Sequence, residues 1–290
     1  MEFWLILTLT GAFLQNLRSL MQKRLTSDLS INGAAYTRFC FAVPFAWLYL
    51  LMLWPERAVQ INSTFIFWVL LGGSAQIFAT SALVAAVSGR YFAVGTAYSK
   101  TEAAQAAILG TILIQDNITW LAALGIVISL LGVFVLTGNR RIGDFFHNDV
   151  SLWYGLAAGA AFALCSVCFR AAALSLPFPD DAERGAVTLA YTLTWQTLAM
   201  GVFILWRDPQ QLLIMARRWP TALSVGVVGM VSSTAWFTAM AIQNAAIVRA
   251  VSQVELLFTV LTSAFFLREA ISFRQIVGMA LIVLGVLAVI

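Results

Sequence analysis

The chain has 290 residues, of which 61% are hydrophobic and 10% charged, with a formal net charge of +4 and a mean hydropathy of +0.89. Soluble domains run at roughly 45–50% apolar and about 25% charged residues. A soluble fold could not cover its surface with this composition, so a soluble enzyme, a nucleic-acid binder and a disordered chain are excluded. Seventeen basic residues are too sparse for a polyanion site, and three cysteines (Cys40, Cys165 and Cys168) cannot build a disulfide framework.

A helix crossing the hydrocarbon core needs about 20 apolar residues at about 1.5 Å each. Apolar runs between polar breaks predict ten spans: 3–21, 32–53, 64–87, 92–114, 119–137, 151–173, 186–206, 220–241, 246–267 and 273–290. Breaks this short make neighbouring helices antiparallel. The fold class is therefore an all-α integral membrane protein.

The first span opens beside Glu2 and carries Gln15, Asn16 and Arg18, unlike a cleavable signal. Its two amides serve either helix–helix hydrogen bonding or a cavity lining. In the second, Arg38 is close enough to the span end to snorkel, and Pro44 predicts a kink. Gly72-Gly73 in the third reads as close packing, since no P-loop Lys-Ser/Thr follows.

The fourth span holds Lys100 and Glu102, each too deep for easy escape to the interface. Two positions apart is about 200° around a helix, so they point to different sides. Glu102 shares a polar and aromatic ridge with Tyr98 and Gln105. It could accept a substrate ammonium or carry a coupling proton, and Lys100 could neutralise Glu255 or receive a substrate carboxylate. A buried Lys–Glu brace is the competing structural reading.

In the sixth span Cys165-x-x-Cys168 has no nearby His or third Cys and reads as packing, while Arg170 reads as an interfacial anchor. The Pro177–Arg184 loop with its acids, Asp180, Asp181 and Glu183, is expected outside. Trp195-Gln196 in the seventh span and Trp236 in the eighth lie deeper than the interfacial belt and could wall a cavity suited to amino-acid side chains or onium cations. Trp4, Trp54, Trp120, Trp153, Trp206 and Trp219 sit at span ends, as belt residues do. The ninth span carries Glu255 on one face with Ser252 and Phe258, and Arg249 reads as an anchor. The fifth and tenth spans have few polar residues, which fits a peripheral scaffold or a dimer face. His147 lies in the charged loop before residue 150, so no His-based triad can form within the membrane.

Connections after odd-numbered spans hold ten basic residues (Lys23, Arg24, Arg90, Arg140, Arg141, Arg207, Arg217, Arg218, Arg268 and Arg274), and those after even-numbered spans hold two, Arg57 and Arg184. The positive-inside rule then predicts cytoplasmic odd connections and both termini on the outer, periplasmic side.

The chain also repeats. An offset of 153 residues superposes Ser99 on Ser252, Glu102 on Glu255, Asp116 on Glu269, and Gly73, Gly125 and Gly132 on Gly226, Gly278 and Gly285. Nearby offsets match Gly33-Ala34 with Gly185-Ala186, Leu53-Trp54 with Leu205-Trp206 and Ala12-Phe13 with Ala161-Phe162. This divides the chain into five-helix repeats at 1–138 and 151–290, joined by a cytoplasmic linker at 139–150. Five is odd, so the repeats are inverted, the symmetry that lets two bundles exchange conformations around a shared site.

On the two halves and the matched segments SKTEAAQAAILGTILIQDNIT (99–119) and SQVELLFTVLTSAFFLREAIS (252–272), the chain resembles the ten-span EamA-type branch of the drug/metabolite transporter superfamily. The family commonly places Pro after the mid-membrane Glu. Ala103 and Leu256 stand there instead, which predicts less kinked fourth and ninth helices. The resemblance implies secondary transport of amino acids, other metabolites or cationic drugs, with export common among bacterial members.

The expected function is export of small metabolites, foremost amino acids, across the cell (inner) membrane by alternating access. Both charge signs at mid-depth favour a zwitterion. The expected substrate-binding residues are Glu102, Lys100, Tyr98, Gln105, Asn16, Gln15, Trp236, Trp195, Glu255 and Ser252. No metal or cofactor is expected, and no nucleotide motif is present, so a gradient would drive transport, a proton being the candidate coupling ion. Partners are the solute and membrane lipids, with the chain a monomer or homodimer. A carrier of organic cations such as quaternary ammonium compounds is the alternative. An enzyme acting on lipid-linked substrates would need a polar catalytic cluster at one interface, and the sequence offers none.

Overall fold

A computed structural model describes residues 2–25, 28–53, 61–88, 92–137, 150–266 and 271–290. The linker at 139–149 with Arg140, Arg141 and His147 lies outside the described residues, as do Trp54, Arg57, the Gly89–Tyr91 break, Arg268 and Glu269. Among the described residues all regular structure is α-helical, with no strand.

The helices are α1 (Phe3–Leu25), α2 (Ile31–Cys40), α3 (Val43–Met52), α4 (Ser63–Ser88), α5 (Phe92–Ser99), α6 (Glu102–Ile114), α7 (Trp120–Thr137), α8 (Val150–Leu174), α9 (Asp181–Arg207), α10 (Gln210–Arg217), α11 (Trp219–Ile242), α12 (Ala245–Ser252), α13 (Glu255–Phe266) and α14 (Phe273–Val289). Among the described residues each apolar run anticipated from the sequence contains α-helix, although 32–53, 92–114 and 246–267 are each divided into two helices. Six stretches are long and apolar enough to cross a membrane: Asn32–Met52, Ser63–Ala86, Trp120–Thr137, Val150–Leu174, Asp181–Arg207 and Trp219–Ile242. Gln15, Asn16 and Arg18 dilute the apolar content of α1. The pairs α5/α6 and α12/α13 are each interrupted, and α14 is 17 residues long.

Three boundaries depart from the sequence reading. The second span breaks at Phe41-Ala42 with Pro44 in the first turn of α3, as a proline without an N–H favours. α9 starts at Asp181 and not near 186, because Asp180 caps it by accepting from the Ala182 N–H at 3.0 Å and Asp181 and Glu183 suit the positive end of the helix dipole. The expected break at 207–218 contains α10, whose Ile214 and Met215 pack with Met21 on buried Leu29, Ala34 and Val225.

The chain divides into two compact units: residues 1–74 with 168–242, and 75–167 with 243–290. Each unit draws on both sequence halves. In the first, α1 lies along α11, where Ser232 donates to the Gly11 carbonyl at 3.0 Å. Also in it, α9 meets α3, with Trp47 Nε1 donating to Thr194 Oγ1 at 3.0 Å and Tyr191 packing against Trp47 and Phe65. In the second unit, α7 and α14 touch backbone to backbone. A Cβ on Gly125 would fall 2.7 Å from the Gly285 carbonyl oxygen, and one on Gly132 would fall 2.8 Å from that of Gly278. Only glycine permits this approach, which maximises packing where lipid offers no hydrophobic drive.

Candidate functional site

Both the fourth and ninth predicted spans are broken in the middle. α5 ends at Ser99 and α6 begins at Glu102; α12 ends at Ser252 and α13 begins at Glu255. The breaks fall at the positions that the 153-residue offset equates. Neither contains proline, so the expectation of less kinked helices is corrected by a different cause. Thr101 N–H bonds back three residues to the Tyr98 carbonyl at 3.2 Å, and Gln253 and Val254 N–H bond to Ala250 and Val251 at 3.2 and 3.1 Å. These are the tighter turns of a 3₁₀ segment. Hydroxyls compete for the same carbonyls: Ser99 Oγ donates to Thr96 at 2.7 Å, Thr101 Oγ1 to Tyr98 at 2.6 Å, and Ser252 Oγ to Arg249 at 2.6 Å. Back-bonding of this kind bends helices.

α8 supports the first break closely. A Cβ on its Gly159 would lie 3.0 Å from the Ser99 carbonyl oxygen and from Thr101 Oγ1, and 3.1 Å from Gln105 Nε2.

The breaks put each glutamate in the first turn of the following half-helix, where the dipole favours negative charge. Each has a cation. Lys100 Nζ donates to Glu255 Oε1 in a hydrogen-bonded ion pair, both side chains 14% exposed. The neutralisation of Glu255 by Lys100 anticipated from the sequence is therefore present. Glu102 faces Arg249 Nη1 at 3.7 Å, with side chains 4% and 11% exposed. Arg249 is itself tethered, its Nε donating to Ser166 Oγ at 2.6 Å, and its guanidinium lies 6.0 Å from the Phe162 ring centre. Buried Gln253 ties the breaks together: its amide donates to the Lys100 carbonyl at 3.4 Å and its carbonyl oxygen accepts from Ser129 Oγ at 2.5 Å. The result is two acids and two bases, buried and balanced within one unit.

The other expected site residues fall differently. The break puts Tyr98 on α5 and Glu102 and Gln105 on α6, so the three do not lie along one continuous helix. Tyr98 packs edge-on to Phe134 at 5.6 Å, and Gln105 Nε2 donates to Thr101 Oγ1 at 2.7 Å. Ser252 is buried and likewise sits on a different half-helix from Glu255. In the other unit, Gln15 and Asn16 are half-buried on α1, Trp236 is buried against Gly11, and Trp195 Nε1 donates to Ser74 Oγ at 3.1 Å.

Arg249 and Arg170 are not the interfacial anchors expected, and Arg18 in the first span is likewise buried. Arg170 donates to the Met240 carbonyl at 3.0 Å, and Arg18 is 8% exposed. Sequence reasoning thus passed over Arg249, Gln253, Ser166 and Ser129. A signal for Arg249 existed: two mid-span glutamates against Lys100 alone leave one acid unbalanced, and Arg249 is the remaining base in the ninth span.

One solved crystal structure of a protein is similar along nearly the whole length, with 14% identity, a TM-score of 0.72, and coverage of 99% of this chain and 97% of that one. At that identity the likeness shows the fold alone. No curated protein matches the sequence. The family model of the EamA-like transporter family matches residues 150–290, and six stretches are fit to cross a membrane. Residues 150–290 of this multi-pass membrane protein thus carry a domain of the EamA-like transporter family, a family of membrane transporters of small molecules.

Proposed function

We propose that the chain is a secondary active transporter that exports small metabolites, foremost amino acids, across the cytoplasmic membrane by alternating access. On this reading it has ten spans in two inverted repeats, 1–138 and 151–290, both termini lie outside, and the driving gradient is of substrate or protons.

The observation that carries the proposal is the pair of helix interruptions at Ser99–Glu102 and Ser252–Glu255, each placing a buried glutamate at a half-helix start beside a base. Ionisable groups at this depth cost several kcal/mol or more to insert, and interrupted helices are where carriers hold polar ligands. A balanced cluster of both signs can exchange its internal partners for the ammonium and carboxylate of a zwitterion at little net cost in buried charge. Glu102, Lys100, Glu255, Tyr98, Gln105 and Ser252 are the substrate-facing candidates of this unit; Gln15, Asn16, Trp195 and Trp236 are those of the other.

The engagement of Lys100 by Glu255 favours a second reading, a carrier of organic cations that uses Glu102 with an aromatic wall. The test is counterflow in proteoliposomes: vesicles preloaded with unlabelled solute, a panel of labelled amino acids and cations outside, with and without a pH gradient. At least one amino acid should accumulate transiently above protein-free vesicles. Failure of every small solute to exchange overturns the carrier assignment.

A further inference from the structure

The repeat-related glutamates are in unlike states. Glu255 is hydrogen-bonded to Lys100. Glu102 is the more buried, its side chain 4% exposed, and Arg249 faces it at 3.7 Å, beyond hydrogen-bonding distance. Among the described residues no hydrogen bond reaches the Glu102 carboxylate. Arg249 is kept at this distance by its own tether, the 2.6 Å bond from Nε to Ser166 Oγ, where Ser166 in turn donates to the Phe162 carbonyl at 2.7 Å. The fork geometry that lets a guanidinium clasp a carboxylate through two short bonds is therefore not realised.

Resting on the carrier reading above and narrowing its candidates, we infer that Glu102 is the ligand for the primary ammonium group of the substrate, with Arg249 the resident counter-ion that this ammonium displaces, while two of those candidates, Lys100 and Glu255, stay paired as a brace. A buried carboxylate supplied with charge but short of donors gains most from a compact cation that brings N–H groups. An –NH₃⁺ brings three. A quaternary ammonium brings none and would leave the oxygens as poorly satisfied as Arg249 leaves them. The deficit at Glu102 thus selects primary amines, amino acids included, against permethylated cations. Displacement leaves the Ser166 bond in place, since Ser166 holds Arg249 through a different nitrogen.

The probes are methylammonium and tetramethylammonium chloride, added to the full-length protein in detergent, with the midpoint of thermal unfolding as readout. Methylammonium should raise the midpoint of the wild type and leave that of Glu102→Gln unmoved, and tetramethylammonium should need at least tenfold higher concentration for the same rise. In proteoliposomes, whichever amino acid exchanges should be competed at least tenfold more weakly by its N-trimethyl analogue than by itself. Ser166→Ala frees Arg249 to close on Glu102, so half-saturation by the amine should rise severalfold with the preference over the quaternary analogue retained. Equal effects of the two probes, or an undiminished methylammonium response in Glu102→Gln, overturn the inference while leaving the carrier reading standing. Binding discrimination without exchange of any solute sustains the inference and sinks the carrier reading.

Discussion

Replacing Lys100 by Met removes the cation that Glu255 is hydrogen-bonded to, in a place where both side chains are only 14% exposed. Breaking a buried ion pair by deleting one partner costs about 3–5 kcal/mol, whereas replacing both partners by apolar side chains of similar size is often neutral. The residual exposure places Lys100→Met near the lower end, about 3 kcal/mol. At roughly 2 °C per kcal/mol for a large domain, the unfolding midpoint should drop by about 6 °C in a detergent thermal-shift assay. Glu255→Leu should cost a similar amount, since it strands the lysine. The double variant Lys100→Met/Glu255→Leu should recover to within about 1 kcal/mol of wild type, a coupling well above the error of a double-mutant cycle. Glu102→Gln leaves Arg249, 11% exposed, without the carboxylate it faces at 3.7 Å, so it should also lower the midpoint, by less than Lys100→Met because no hydrogen bond to the cation is lost. Additive losses in the double variant, or single variants that melt like wild type, would refute the brace.

Further outcomes follow from the same geometry. Gly285→Ala should destabilise by about 1–3 kcal/mol, because the new Cβ would sit 2.5 Å from the Ser129 nitrogen and 2.6 Å from the Gly125 oxygen. Gly110→Ala, whose Cβ meets nothing nearer than 3.7 Å, should be neutral or gain up to about 1 kcal/mol of helix propensity; equal midpoints for the two would contradict backbone contact between α7 and α14. Gln115 ends α6 at φ 57, the one non-glycine with positive φ among the described residues, so Gln115→Gly should raise the unfolding midpoint by the equivalent of about 1 kcal/mol. A lowered midpoint would contradict that. A reporter enzyme active only outside the cytoplasm, fused after Ile290, should be active in cells; a silent fusion, with its cytoplasmic counterpart active, would reverse the orientation.

The extents of the helical runs were legible because apolar run length is a physical requirement of the bilayer. The run 92–114 coincides with the joint extent of α5 and α6, and 246–267 nearly with that of α12 and α13. The breaks inside them were not legible, because hydropathy does not register a hydroxyl bonding its own helix, and proline was the wrong signal to seek. Once the helix breaks, counting around a single helix no longer relates Tyr98, on α5, to Glu102, on α6. Depth rules misjudged Arg249 for a related reason: they measure distance to a span end, and α12 is only 8 residues long, so its arginine meets the break and not the lipid interface. The Lys100–Glu255 pair was one of two roles open to Lys100 in the sequence, since both are ionisable groups too deep in their spans to reach the interface. The grouping of residues 1–74 with 168–242 was not, since a repeat in sequence reports similarity and says nothing about which segments pack together.

The most direct test is entrance counterflow of a labelled amino acid into preloaded proteoliposomes, run side by side for wild type and Glu102→Gln with their unfolding midpoints recorded. Transient accumulation in the wild type, at least tenfold slower in the variant at an assay temperature below both midpoints, is the predicted result. Equal accumulation in both, or none above empty vesicles in either, would contradict the assignment of the interrupted helices to substrate recognition.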